Sequence, residues 1–141
     1  MISETGQEGV LLALQRAAHR TLQALATTLA DLDLTASELN ALANLADGRP
    51  RSVRALGLDT GTRATTLTGV LDRLERRGHL IRELDAADRR SFRVTLTDQG
   101  RTVAGRVYEA VAELERTTLA GLSRQQLAAF HAVIAALQEV P

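Results

Sequence analysis

The residues of this sequence best suited to chemistry are arginines and threonines concentrated between Thr62 and Arg90. In the first half of this stretch, guanidinium and hydroxyl side chains share one side without a bulky apolar residue among them. Such groups are suited to hydrogen bonding with phosphates and with base edges in a nucleic-acid groove. The sequence therefore predicts a DNA-contacting surface formed by Arg63, Thr65, Thr66, Thr68, Arg73 and Arg77.

The element that must position these side chains is a helix that ends at Gly78. Apolar residues recur at helical spacing on its other side and predict one buried stripe: Leu67, Val70, Leu71 and Leu74. A short helix is predicted over about 52–60, with Val53, Leu56 and Leu58 facing inward, and a turn containing Gly61 follows it. A short helix, a glycine-containing turn and a longer helix are typical of a helix-turn-helix.

After Gly78 the apolar period changes from that of a helix to that of a strand. Residues 80–84 and 92–96 alternate in polarity and are joined by a short polar segment, which predicts a β-hairpin. A threonine- and arginine-bearing helix followed by a hairpin with a basic tip is the layout of a winged helix-turn-helix. In that layout the helix enters the major groove and the wing reaches the minor groove or backbone.

The tip of the hairpin contains Asp88, Arg89 and Arg90. In a tight loop, the side chains of Asp88 and Arg90 are close enough to pair and fix the turn. Asp88 is also expected to accept hydrogen bonds from loop N–H groups. Arg89 should point the other way and enter the minor groove, where narrow A·T-rich segments attract guanidinium groups.

The rest of the chain is predicted to be helical. A long amphipathic helix is expected over about 7–32. Capping boxes at Thr35–Glu38 and Ser123–Gln126 predict the starts of two further helices, and Thr97 is expected to cap a third. Apolar seams on the first and last two helices predict dimerisation surfaces that include Leu11, Leu14, Leu22, Val107, Val111, Leu127, Phe130, Ile134 and Leu137.

The ordered set of motifs resembles the MarR-type transcriptional regulators. The residues that carry this resemblance are TGVLDRLERRGHLIR from Thr68 to Arg82, DRR over Asp88–Arg90, and LTDQG from Leu96 to Gly100. Two positions depart from the family pattern. Gly69 stands where many members have an arginine, and Gly57 stands where alanine is usual.

The resemblance implies a mainly α fold with a small β-hairpin wing, in which a winged helix-turn-helix is flanked by dimerisation helices. It assigns residues 7–34 and 98–139 to the dimerisation helices and 35–97 to the winged part of a single 1–141 domain. It further implies a homodimer that binds a palindromic operator as a repressor, with recognition helices about 34 Å apart. A small aromatic or phenolic effector would modulate this binding, and no cofactor is expected.

Composition narrows the alternatives. The 141-residue chain has no net charge, but residues 49–93 contain eleven arginines against six acids, a net charge of +5 that coincides with the predicted DNA-binding part. The absence of cysteine excludes disulfides and a thiol switch. The acidic, polar N-terminus is unlike a signal peptide and no apolar run is long enough to span a membrane, so a cytoplasmic protein is expected.

Other interpretations of these residues must be weighed against DNA binding. An enzyme is disfavoured because no nucleophile–base or phosphate-loop motif occurs, and His19, His79 and His131 fall in three different elements, which also disfavours a metal site. Asp72 and Glu75 are expected to form surface salt bridges with the neighbouring Arg73, Arg76 and Arg77. The main rival class is a helical dimer that binds a small molecule or protein without DNA, its arginines being only a solvated face.

Overall fold

A computed structural model describes residues 8–141, so the predicted helix start at Gln7 lies outside the described residues. The fold is mainly helical with a small antiparallel sheet, as predicted. The elements are α1 Val10–Thr28, a 3-10 turn Ala30–Leu32, α2 Ala36–Leu45, β1 Arg51–Ser52, α3 Val53–Thr60, α4 Ala64–Arg76, β2 Leu80–Leu84, β3 Phe92–Leu96, α5 Asp98–Thr118 and α6 Arg124–Gln138.

The chain forms two compact units, and the division between them falls inside α5, between Val111 and Ala112. The first half of α5 contributes Ala104 and Val107 to the core of the first unit. The three-part division into dimerisation and winged segments stays a prediction. No helix among residues 8–141 is long and apolar enough to cross a membrane.

The sheet contains the predicted hairpin and one further strand. β2 and β3 pair antiparallel with Leu80 opposite Leu96 and Leu84 opposite Phe92. The two-residue β1 pairs with the other edge of β3, giving the order β1-β3-β2. β1 was not predicted, because two residues are too few to show a strand period.

The core of the first unit is built from the predicted helical stripes. Leucines of α2, α3 and α4 meet Leu80, Val94 and Leu96 from the sheet. The whole predicted stripe of α4 is buried. Two predicted positions are wrong: Leu58 is 78% exposed instead of facing inward, and Val107 is only 1% exposed and belongs to the chain's own core. Val107 is therefore not available to a partner subunit.

Helix starts follow the predicted capping chemistry. Both capping boxes, Thr35–Glu38 and Ser123–Gln126, are formed in full. Thr97 Oγ1 accepts a hydrogen bond from the N–H of Gly100 at 3.0 Å and donates one to the Gly78 carbonyl at 2.6 Å. The same threonine thus caps α5 and ties its start to the end of α4.

Gly100 marks the closest approach of α5 to the start of β2. A Cβ atom at this position would lie 1.7 Å from the carbonyl oxygen of His79, so no other residue fits without backbone movement. This close approach explains the glycine of the LTDQG motif in physical terms.

The outer helices contrast with this core. In the first unit, α1 has no buried residue, and Leu11 and Leu22 are exposed. In the second unit, α6 also has no buried residue, and Phe130 is 52% exposed. Leu127, Ile134 and Leu137 on α6 are half-buried.

Candidate nucleic-acid interface

The turn between α3 and α4 fixes where the candidate recognition helix begins. α3 ends at Gly61, whose φ of 66° is left-handed and favours glycine. Asn40 of α2 donates a side-chain hydrogen bond to the Thr60 carbonyl at 3.2 Å and thereby holds this turn against α2. Arg63 then stands at the N-cap position of α4, exposed to solvent.

The three predicted threonines are all exposed on α4, but their hydroxyl groups differ. Thr68 Oγ1 donates to the carbonyl of Ala64 at 2.9 Å, within its own helix. In the described part of the chain, the hydroxyl groups of Thr65 and Thr66 make no such bond. Thr65 and Thr66 can therefore offer hydroxyl groups to a ligand, whereas Thr68 has its methyl group to offer.

Arg73 is tied to a buried acid of α2. Its Nε donates to Glu38 Oε1 at 2.7 Å. The Glu38 side chain is 4% exposed and the Arg73 side chain 47% exposed. The guanidinium also extends back along α4, since a Cβ atom added to Gly69 would lie 3.4 Å from Arg73 Nη1. The space next to Gly69 is thus bordered by the outer end of Arg73.

Arg77 has a different task, at the C-terminal end of α4. Its Nη1 donates to the Asp33 carbonyl at 2.6 Å and its Nη2 to the Leu32 carbonyl at 2.8 Å. Asp33 has a left-handed φ of 52° where the 3-10 turn ends. Arg77 therefore anchors the end of α4 to the segment that joins α1 to α2.

The acids of α4 pair with β2 rather than with their neighbours in the helix. Arg82 Nη2 contacts Asp72 Oδ1 at 2.5 Å and Glu75 Oε1 at 2.9 Å. The predicted partners Arg73, Arg76 and Arg77 were wrong because the hairpin folds back and brings Arg82 closer. The hydrogen bond from Arg82 lowers the pKa of Glu75, and in return the pKa of Arg82 is raised.

The wing tip is organised by hydrogen bonds to aspartate. Asp88 Oδ1 accepts from the Arg90 N–H at 3.1 Å, and its carbonyl accepts from the Ser91 N–H at 3.0 Å, so the predicted role of Asp88 in the turn is confirmed. The predicted Asp88–Arg90 ion pair does not occur among the salt bridges of residues 8–141. Arg89 and Arg90 are both exposed.

A groove of about 810 Å³ separates the wing from α4, with Thr68 and Arg90 among its lining residues.

Most arginines of the basic segment are not neutralised by a neighbouring carboxylate. Arg51, Arg73 and Arg82 form ion pairs, and Arg77 bonds carbonyl groups. Within the described ranges the other seven have no acidic partner at salt-bridge distance: Arg49, Arg54, Arg63, Arg76, Arg89, Arg90 and Arg93. This leaves a positive charge for which a polyanion is the natural partner.

The histidines give no sign of a metal site. No group of three or more potential ligands occurs among residues 8–141. His79 is buried, its Nδ1 has no hydrogen-bond partner, and its pKa is lowered, first by burial and then by the charge of Arg77. Glu38 opposes this effect on the pKa without cancelling it.

Sequence reasoning missed two residues that organise the surface. Glu38 was recognised only as part of a capping box, which it is, because its partner Arg73 lies 35 positions away. Arg82 was assigned to an alternating strand and to the family motif, but without an ionic partner. No local pattern indicates either long-range pair.

A helix-turn-helix with an exposed, polar second helix and a basic β-hairpin beside it defines a winged helix-turn-helix protein. A sequence profile described as MarR family matches residues 32–91. Over 118 residues the chain is 33% identical to the HTH-type transcriptional regulator TtmR of Methylorubrum extorquens, which covers 76% of this chain and 58% of TtmR. The chain spans about half the length of the curated relatives it matches.

Solved structures agree over nearly the full length. A MarR-family regulator from Silicibacter pomeroyi superposes with a TM-score of 0.81 at 29% identity, over 97% of this chain and 93% of that one. BpsR from Bordetella bronchiseptica gives 0.78 at 28% identity, over 95% and 96%. The chain belongs to the MarR family of winged helix-turn-helix transcriptional regulators.

Proposed function

We propose that this protein represses transcription by binding a palindromic DNA operator as a homodimer. The observation that carries the proposal is the exposed face of α4, where the side chains of Arg63, Thr65 and Thr66 have no hydrogen-bond or salt-bridge partner among residues 8–141. The exposed arginines of the wing, Arg89 and Arg90, extend the same positive charge. Hydroxyl groups on the helix would read base edges, and the arginines would hold phosphates or enter the minor groove.

Three predicted DNA-binding residues have additional tasks within this proposal. Both terminal nitrogens of Arg77 donate hydrogen bonds to carbonyl groups. Its contribution is therefore to hold the end of α4 in place rather than to offer free donors to DNA. Asp88 supports the wing by ordering its backbone. Arg73 keeps its terminal nitrogens for a ligand while Nε holds Glu38.

The dimer is supported by the apolar faces that the chain leaves uncovered. α1 exposes Leu11 and Leu22, the second unit exposes Phe130, and Leu14 is half-buried. Apolar surface of this kind usually belongs to an interface, and an obligate helical one buries about 2,000 Å² or more. Sedimentation at micromolar concentration should give the mass of a dimer.

We further propose that a small aromatic or phenolic effector binds to the first unit. Two grooves of about 560 and 490 Å³ share Ala46 and the exposed ring of Tyr108. Arg51 lines the smaller groove, and its Nε is buried without a hydrogen-bond partner in the described structure. BpsR is a relative whose DNA binding is regulated by 6-hydroxynicotinic acid. With no cysteine in the chain, binding rather than thiol oxidation would be the signal.

A salt titration of DNA binding tests the proposal. Binding of a random-sequence duplex should weaken steeply with salt, because phosphate contacts release counterions. Duplexes selected from a random pool should contain an inverted repeat and bind more tightly. Failure to bind either duplex at low salt would favour the rival class, a helical dimer that binds only small molecules or proteins.

The wing is tested separately with Asp88→Ala and Arg89→Ala. Both should reduce affinity for the selected duplex at fixed salt and leave the melting temperature nearly unchanged, because exposed charges contribute little to stability. Affinity equal to that of the parent for both variants would remove the wing from the interface.

A further inference from the structure

Gly69 lies next to an ion pair that joins α4 to α2, formed by Arg73 and Glu38. Gly69 has no side chain, so the surface of α4 is open at this position. Arg73, one helical turn later, directs Nη1 toward this site, 3.4 Å from where a Cβ of residue 69 would be. In the described part of the chain, and apart from the helix backbone and the two neighbouring residues, the Arg73 guanidinium is the only group within 4 Å of this place.

Glu38 fixes the conformation of the Arg73 side chain that reaches this place. Glu38 is almost fully buried and also accepts the N–H of Thr35 through its other oxygen at 3.2 Å. A buried carboxylate held by two donors provides a rigid anchor for Nε. In contrast, the Arg73 side chain as a whole is about half exposed, and among residues 8–141 its terminal nitrogens have no partner.

We propose that Glu38 is a positioning residue for DNA binding: it holds Arg73 so that the terminal nitrogens occupy the site left open by Gly69 and bind a phosphate or a guanine edge. This inference rests on the proposed DNA-binding function. A guanidinium suits both tasks at once, since its donors form a fixed planar fork. Pre-ordering by Glu38 removes the cost of immobilising a long side chain when DNA binds.

The decisive experiment is a double-mutant cycle on DNA affinity with Glu38→Gln and Arg73→Ala. Arg73→Ala should weaken binding of a random-sequence duplex about ten-fold and flatten the salt slope by about one unit. Glu38→Gln should weaken binding roughly three- to ten-fold although it removes a negative charge. The double variant should bind no worse than Arg73→Ala, because Glu38 acts only through Arg73.

Three controls separate positioning from simple stability. Thr35→Ala removes the hydroxyl of the capping box but not the Glu38–Arg73 pair, so it should lower the melting temperature without changing DNA affinity at temperatures where the protein is folded. Arg73→Lys keeps the charge but cannot both hold Glu38 and reach DNA, so it should bind more weakly than the parent. A folded Glu38→Gln protein is verified by circular dichroism.

The opposite outcomes are clear. If Glu38→Gln binds DNA as tightly as the parent or more tightly, Glu38 only neutralises Arg73 and the inference is wrong. Additive losses in the cycle, or parent-like binding by Arg73→Lys, would also overturn it. Absence of salt-dependent binding by the parent protein would instead contradict the proposed function itself.

Discussion

The winged part of the chain and its outer helices use similar leucine-rich stripes in different ways. α4 buries all four residues of its stripe inside the first unit, whereas α1 and α6 bury none. A buried leucine contributes about 2 kcal/mol and an exposed one contributes little. The comparison teaches that amphipathic periodicity shows where a helix has an apolar face but not which chain covers that face.

The largest effect should come from Gly100, at the contact between α5 and β2. Gly100→Ala places a Cβ against the His79 carbonyl and should cost at least about 3 kcal/mol of unfolding free energy. Gly105→Ala is the matched control in the same helix, because a Cβ there meets nothing within 4 Å. It should stabilise by about 0.5–1 kcal/mol through helix propensity. Urea unfolding of both variants measures the difference, and equal stabilities would contradict the close approach.

A paired substitution compares the two regions directly. Leu42→Ala empties a fully buried site and should cost about 3 kcal/mol. Phe130→Ala changes an exposed ring, so in an isolated subunit it should cost little. In a dimer it should lower the melting temperature by an amount that depends on protein concentration. Melting temperatures measured at several protein concentrations distinguish the two cases. An effect of Phe130→Ala that does not depend on concentration would show that this residue is not in an interface.

A smaller effect should appear as a pH dependence of the unfolding free energy, caused by His79. Burial lowers the pKa of His79 below its usual 6.5, so the unfolded chain binds a proton more readily than the folded one. The contribution of His79 to the unfolding free energy is therefore fully present above pH 6.5, and it declines as the pH falls toward the lower pKa of the folded state. Replacing the imidazole in His79→Leu should make the unfolding free energy less sensitive to pH over this window. An unchanged pH profile would show that His79 does not contribute.

The smallest effect concerns the base contact that we propose for Thr68 on α4. Because the Thr68 hydroxyl is engaged within the helix, we expect its methyl group to contact a thymine methyl. Thr68→Val should keep affinity for a selected duplex, whereas Thr68→Ser should lose a few-fold. Replacing the contacted thymine by uracil should weaken the parent but not the serine variant. A valine variant as weak as the serine one would assign the reading to the hydroxyl group instead.

Features set by neighbouring residues were predicted well from the sequence. The stripe of α4, both capping boxes and the β2–β3 hairpin all depend on patterns within a few residues. Their physical causes, side-chain periodicity and competition for free N–H groups at helix starts, act over one or two turns. The sequence alone was sufficient there.

Features set by tertiary placement were not predicted. Val107 and Val111 lie on one apolar seam, yet only Val107 reaches the core, because the seam leaves the packed region within one turn. Leu58 reads as an inward residue but is exposed near the turn before α4. The pair of Glu38 with Arg73 joins residues far apart in the chain. Which side chains meet depends on how the helices cross, and local patterns do not encode this.

The close approach at Gly100 has a consequence for the gene as well as for the fold. Every missense change that a single nucleotide can make in a glycine codon introduces a residue with a Cβ atom. Since there is no room for a Cβ atom beside the His79 carbonyl, only synonymous changes in codon 100 preserve the fold at this contact. A random mutational screen for lost regulation should therefore recover this codon repeatedly, although Gly100 is buried and outside the predicted DNA-contacting surface.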